Sequence, residues 1–388
     1  MKSESEMWGF YIHIPFCERR CGYCDFFSTA GYSKAEMRRY CGYLQGEIKL
    51  FAEKNKEEII VQSLYIGGGT PSYAPPESVI PLIKTIKNLF PVTGDAEITI
   101  EVNPKSALEK TLIDYRNAGV NRLSIGIQSL NQDDLKTLGR LHSIEDGYKT
   151  VNSALTVGFN NINVDVIFGI PGQTLKSLES TVEEIIEFAP EHISAYALTV
   201  EPGTPLSGMV QSGELFLPDD EAIAEMFILI RQNLQNSGYE QYEISNYARP
   251  GHRSLHNMQY WRRGRYKGFG LSAHSFDGNV RSWNTTDFQW YYAEIDAGKL
   301  PIKDSEVLTT LQQMNEEIML RLRTNEGLSL EEFKRQFGNV YTEKLKQNID
   351  NFIHNGGFEY IELNSDSIVL NNKGFLVSDK IIETLLLE

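Results

Sequence analysis

Cysteine is scarce in this chain of 388 residues, which carries four. Four cysteines without evenly spaced pairs exclude a disulfide framework. Three of them, Cys17, Cys21 and Cys24, nevertheless stand within eight residues. Long apolar runs are missing too: none approaches the roughly 18–20 residues that cross a bilayer. The opening MKSESEMWGFYIHIPF lacks the basic stretch, apolar core and small-residue cleavage site of a secretory leader, so a cytoplasmic protein is expected. Basic residues are outnumbered, 37 Lys and Arg against 52 Asp and Glu, giving a formal charge of −15. That balance argues against general nucleic-acid binding, which needs clustered positive charge to neutralise phosphates. Disorder and collagen-like repeats are set aside by 41% hydrophobic and 23% charged residues, both near globular averages. A chain of this length outgrows a single core, so one large domain and a smaller one are expected.

What is present is a rhythm. Short β-branched runs at residues 9–14, 63–66, 96–102, 122–128, 161–168 and 192–200 read as strands. Amphipathic stretches at 34–54, 77–89, 108–118, 144–157 and 175–189 read as the helices between them. Six such alternations predict an α/β domain over residues 1–240, with a parallel sheet that is either open or curved into part of a barrel. In both forms functional residues gather where strands end. The three cysteines follow the first strand, Gly67–Pro71 follows the second, Glu101 and Gln128 close the third and fourth, and Asp165 lies in the fifth.

After residue 240 the rhythm fails. A connecting region over 241–300 reads as a loop rich in aromatic, basic and glycine residues from 242 to 283. From 301 to 388, three helical patterns precede an expected hairpin turning at 364–367, a winged-helix-like order. Winged helices often bind DNA, but this segment carries 9 Lys and Arg against 15 Asp and Glu. A packing or protein-contact role is expected there.

The cysteines are spaced CxxxCxxC on a predicted loop, and thiolates two or three residues apart can wrap one iron–sulfur cube. Three ligands leave one iron open for a molecule that must arrive and react. Structural zinc completed by Cys41 or His13 is the competing reading, but zinc sites usually show two separated ligand pairs. Cys41 falls inside a helical stretch and is expected to be a buried apolar residue. The run Gly67-Gly68-Gly69-Thr70-Pro71 lets backbone groups approach a ligand closely.

CxxxCxxC after a first strand, followed by Gly-Gly-Gly-Thr-Pro after the second, resembles the radical S-adenosylmethionine (SAM) superfamily. The resemblance spans about residues 8–240 and implies a partial (β/α)6 TIM-like barrel. It also implies a [4Fe–4S] cluster whose open iron is chelated by the amine and carboxylate of SAM, and reductive cleavage of SAM to a 5′-deoxyadenosyl radical. Within that superfamily, YIHIPFC, IGIQSL and DVIFGIPGQT are similar to the oxygen-independent coproporphyrinogen III oxidase group. By that likeness Tyr11, Tyr23, Gly68, Gly69, Thr70, Glu101, Gln128, Arg140 and Asp165 fall on positions that contact one or two SAM molecules. The side chains suit such contacts, since carboxylates accept ribose hydroxyls, Gln128 donates and accepts, and Arg140 can pair a carboxylate.

Three departures separate this chain from the oxidases. Phe26 stands where they carry a further cysteine, and only about eight residues precede the first strand. His256-Asn257-Met258-Gln259-Tyr260-Trp261 matches the HNxxYW motif of the haem-chaperone branch. That likeness implies haem as a ligand, transfer to a haem-acceptor protein of the respiratory kind, and the capacity of family members to form a homodimer. His256 is then the expected axial ligand, with Met258, His252 and His274 nearby. Arg262, Arg263, Arg265 and Lys267 suit the propionates. Oxidative decarboxylation of coproporphyrinogen III is the alternative activity.

Overall fold

The computed structural model describes residues 7–55, 59–364 and 366–388. The first six residues, where a leader was sought, lie outside that range. Six parallel strands, β1 (Met7–Ile14), β2 (Ile60–Gly68), β3 (Val92–Val102), β4 (Arg122–Gln128), β5 (Ile162–Phe168) and β6 (His192–Ala197), pair in chain order. Helices Lys34–Lys54, Pro76–Leu89, Glu109–Asn117, Ile144–Val157 and Leu175–Glu187 fill the crossovers, with the short Gln132–Thr137 ahead of the fourth of these. This is the partial (β/α)6 barrel. Each expected strand overlaps an observed one; β1, β2 and β3 begin two to four residues earlier than expected, and β6 stops at Ala197 rather than at residue 200.

Alternation along the strands sorts the side chains by polarity. One face carries Ile98, Ile100 and Val102 of β3, Leu123, Ile125 and Ile127 of β4, and Val164, Val166 and Phe168 of β5. These join the main apolar core with Leu44, Val79, Leu82, Leu112, Val151 and Leu178 of the helices. Burying each such side chain contributes roughly 1.5–3 kcal/mol. The opposite face carries Glu97, Thr99 and Glu101, then Arg122, Ser124 and Gln128, then Asn163 and Asp165, then His192, Ser194 and Tyr196. A barrel closed for stability alone fills its interior with branched apolar residues; this interior is polar.

Residues 242–283 are not the expected loop. β7 (Glu240–Gln241) and β8 (Asn246–Ala248) close against β6, while β9 (Tyr266–Phe269), β10 (His274–Phe276), β11 (Val280–Asn284) and β12 (Ile302–Val307) extend the sheet from β1. Glycines and arginines suggested a loop, but Lys267 is buried and neutralised by Glu47 at 3.9 Å, which lets a basic residue enter a strand. The segment 301–388 is helical: Thr310–Leu322, Leu330–Phe337 and Asn339–His354 precede strands Ile361–Leu363 and Ser367–Leu370. Leu328–Ser329 completes a three-stranded antiparallel sheet of winged-helix form. Asn364 N–H donates to Ser367 O across the hairpin turn, whose Ser365 lies outside the described residues.

Candidate cluster and cofactor site

The cysteines occupy the loop that leaves β1, and backbone bonds stitch that loop on several sides. Cys17 N–H donates to Thr29 O at 2.8 Å, and Thr29 N–H returns to Pro15 O at 2.7 Å. Gly69 and Thr70, just beyond β2, donate to Ile14 O and Phe16 O, each at 2.9 Å. Gly22 N–H reaches Leu138 O, and Arg19 reaches Gly139 O at 2.8 Å. Two sulfurs accept further bonds: Cys17 Sγ from Thr70 Oγ1 and Cys21 Sγ from Arg140 Nη1, both at 3.6 Å. Burial pushes the Cys17 and Cys24 thiols up, and the neighbouring cysteines push the same way. Such mutually opposed thiolates gain by sharing a cation.

The donor set fits an iron–sulfur cube. Three thiols on one loop, with no fourth Cys or His on it, suit a cube in which each thiolate takes a different iron. A Cβ on Gly69 would come within 2.9 Å of Cys17 Sγ and of the Pro15 carbonyl carbon, so only glycine leaves the backbone this close to the ligand loop. Cys41 lies apart on the first helix, buried, its thiol pushed up to about 12.

The other expected positions converge on the same end of the barrel. Glu101 Oε2 accepts the Gly68 N–H at 3.1 Å, and burial lifts its carboxyl to about 7. Gly68 holds φ at +120°, a value that favours glycine. Gln128 ends β4 at φ +69°, a strained value for a non-glycine residue that turns the chain at the sheet edge. Arg140 Nη2 donates to Gly126 O at 2.8 Å, so one guanidinium ties β4 to Cys21. Its buried Nε has no protein partner among the described residues, an orphan donor suited to an arriving carboxylate. Asp165 accepts from Asn163 at 2.8 Å and Ser124 at 3.3 Å. Tyr23 packs on Leu138, Ile167 and Ile170, and Tyr11 bonds to His13 Nδ1 at 3.0 Å.

Three comparisons meet this geometry. The Radical SAM superfamily model matches residues 11–185, and the HemN C-terminal domain matches 308–377. The haem chaperone HemW of Bacillus subtilis is 34% identical over 378 residues, covering 97% of this chain and 98% of the relative. The haem chaperone HemW of Mycobacterium tuberculosis is 35% identical over 381 residues, covering 97% and 94%. The chain belongs to the HemW family of radical SAM proteins. The coproporphyrinogen III oxidase HemN of Escherichia coli superposes with a TM-score of 0.84 over 99% of this chain and 91% of its own, at 24% identity. That likeness shows the fold.

The HemW-type motif lies on a helix, Leu255–Trp261, that seals the barrel interior at the end away from the cysteines. Ser254 caps it, and Glu97 accepts from Ser254 Oγ, Leu255 N–H and His256 N–H at 3.0–3.1 Å. His256, the expected haem ligand, lies inside the barrel with both ring nitrogens hydrogen-bonded in the ligand-free chain. The residue is 2% exposed, its Nδ1 lies 3.0 Å from Ser63 Oγ and its Nε2 lies 3.0 Å from Tyr260 Oη. Iron at either nitrogen would have to displace a hydroxyl inside a sealed site. Met258 is buried against Tyr242 and Ala248. The basic quartet has partners within the chain: Lys267 is buried, Arg263 pairs Glu316 at 3.2 Å, Arg262 pairs Glu326 at 2.8 Å, and Arg265 lies over the Trp8 ring.

Sequence reasoning missed Tyr65, Ser124, Asn163 and Tyr196, which line the polar face beside the named residues. The signal for three of them was phase: Tyr65 stands an even number of positions from Gly67, Ser124 from Gln128 and Asn163 from Asp165, whereas β6 offered no recognised residue to place Tyr196.

Proposed function

We propose that this protein binds haem and passes it to an acceptor protein, while holding a [4Fe–4S] cluster and SAM at the cysteine end of its barrel. The observation that carries the reading is full-length identity of 34–35% with two haem chaperones, which spans the barrel, the floor helix and the winged-helix segment. Cys17, Cys21 and Cys24 would hold the cluster. Glu101, Gln128, Arg140, Asp165 and the glycine run would receive SAM. When bound, this pair supplies one-electron reductive chemistry; the chain's own part is to fix the ligands, orient the cofactor and exclude bulk water. No described helix is long and apolar enough to cross a membrane; the acceptor is of the respiratory kind by resemblance.

Beside His256, the expected ligand, His274 offers a second imidazole to haem. It is exposed on β10, its ring stacks on Trp283 at 5.8 Å and 27°, and partial burial, with Arg281 nearby, holds its pKa below the usual value. A neutral imidazole beside an indole face suits iron and porphyrin together. The deciding experiment titrates haem and coproporphyrinogen III in parallel without oxygen, with reductant and SAM. The reading expects a haem complex and no catalytic vinyl product, with haem affinity falling about tenfold or more in His274→Ala, a loss of about 1.4 kcal/mol or more. Turnover of coproporphyrinogen III would replace it with the oxidase reading. Phe26, 72% exposed where the oxidases carry a cysteine, speaks against that outcome.

A further inference from the structure

The motif histidine and the cofactor edge are joined by a continuous column inside the barrel. His256 presents its ring face to Tyr65, with centroids 5.0 Å apart and planes at 22°. Tyr65 stacks in turn on Tyr11 at 6.2 Å and 24°. The Tyr65 hydroxyl donates to Glu101 Oε1 at 2.9 Å, and the second oxygen, Oε2, accepts the Gly68 N–H at 3.1 Å. The adjoining glycine admits no slack, for a Cβ on Gly67 would lie 2.8 Å from the Tyr65 ring and 2.9 Å from Glu101 Oε1. His256 itself is fixed at both nitrogens, by Ser63 and Tyr260.

We propose that Tyr65 is a positioning residue that sets the orientation of the Glu101 carboxylate for SAM, and that His256 acts by bracing the Tyr65 ring. This rests on Glu101 being part of the SAM site. The physical reason is the number of anchors. A buried carboxylate held at one oxygen swings about its remaining bond, whereas one held at both has a single orientation toward a ribose. Pre-orienting it removes an ordering cost that SAM binding would otherwise bear. Nothing in the column uses a metal-binding nitrogen. The rest of the motif seats the floor helix: Tyr260 bonds His256, Gln259 Nε2 donates to Met7 O and Arg265 O, and Met258 and Trp261 pack on Tyr242.

The test uses full-length protein reconstituted with cluster, and follows the electron paramagnetic resonance (EPR) signal of the reduced cluster as SAM is added. Tyr65→Phe keeps the ring and loses the hydroxyl. His256→Ala removes the brace, and His256→Phe restores a flat ring that cannot ligate iron. Expected are full cluster content in all three, SAM affinity about tenfold lower in Tyr65→Phe and His256→Ala, the size of one hydrogen bond, and affinity within about twofold of wild type in His256→Phe. Haem titration of His256→Phe should match wild type. Wild-type SAM affinity in Tyr65→Phe, alongside weakened binding in Glu101→Gln, overturns the proposal and leaves the SAM site standing. Unaltered binding in Glu101→Gln overturns both. Should His256→Ala fail to fold, Tyr65→Phe decides alone, because its loss is confined to one hydroxyl.

Discussion

Alanine at Cys17, Cys21 or Cys24 is expected to abolish the brown chromophore of protein reconstituted without air, while alanine at Cys41 leaves it intact. The asymmetry follows from position rather than from residue type. The three loop cysteines lie on one backbone excursion, where burial first, and then neighbouring cysteines, oppose ionisation of Cys17 and Cys24. Cys41 lies on the first helix, 1% exposed, with its thiol pushed up to about 12 by burial. A thiol so far above neutrality is a packed apolar group and offers no thiolate to iron. Losing one of three protein ligands leaves two, too few to retain a cube against chelators, so iron content should fall to near background in each single variant. Visible absorbance and iron analysis of the four variants side by side make the check. A stable cluster in any loop variant would show that another side chain ligates.

The second large effect is expected from one methyl group. Gly69→Ala places a Cβ 2.9 Å from Cys17 Sγ, 2.9 Å from the Pro15 carbonyl carbon and 3.0 Å from Phe16 O. Two of these neighbours are backbone, held by the bonds from Gly69 to Ile14 and from Thr70 to Phe16. Relief therefore requires the cysteine loop to move as a body. Overpacking of this kind costs about 1–3 kcal/mol, and here it falls on the ligand geometry as well as on stability. Gly68→Ala adds a second penalty, because φ of +120° is poorly tolerated by alanine and its Cβ would meet the His13 ring at 2.8 Å. Both variants should reconstitute poorly and bind SAM weakly. Gly42→Ala is the matched control: it lies in the first helix with nothing within 4 Å of the added methyl, and should gain up to about 1 kcal/mol. Thermal denaturation and cluster content of the three variants separate strain from ligand loss.

Much of this arrangement can be read from residues alone, and the exceptions have physical causes. The barrel strands announce themselves because β-branched runs alternate with helices that carry their own start signals, such as Ser33 with Glu36 and Ser143 with Asp146. The cysteines and glycines are legible because their chemistry allows few other uses at that spacing. The region from 240 to 300 was not, although the helices and hairpin that follow it were. Its strands are two to five residues long, and a buried Lys267 looks like a loop residue until Glu47, distant in sequence, is seen to neutralise it. The surroundings of His256 were only partly legible. Tyr260 stands one helical turn on in the same motif, whereas Ser63 reaches the ring only through the fold. Tyr65 was readable in principle, since it shares the inward phase with Gly67, but its bond to Glu101 depends on β2 pairing with β3, which no local pattern specifies.

The most direct test is the EPR spectrum of the dithionite-reduced, reconstituted wild-type protein, recorded before and after adding SAM. A cube held on three thiolates with one accessible iron predicts a [4Fe–4S]+ signal whose g-values shift when SAM arrives. An EPR-silent protein containing zinc, or a cluster signal that SAM leaves unchanged, would contradict it.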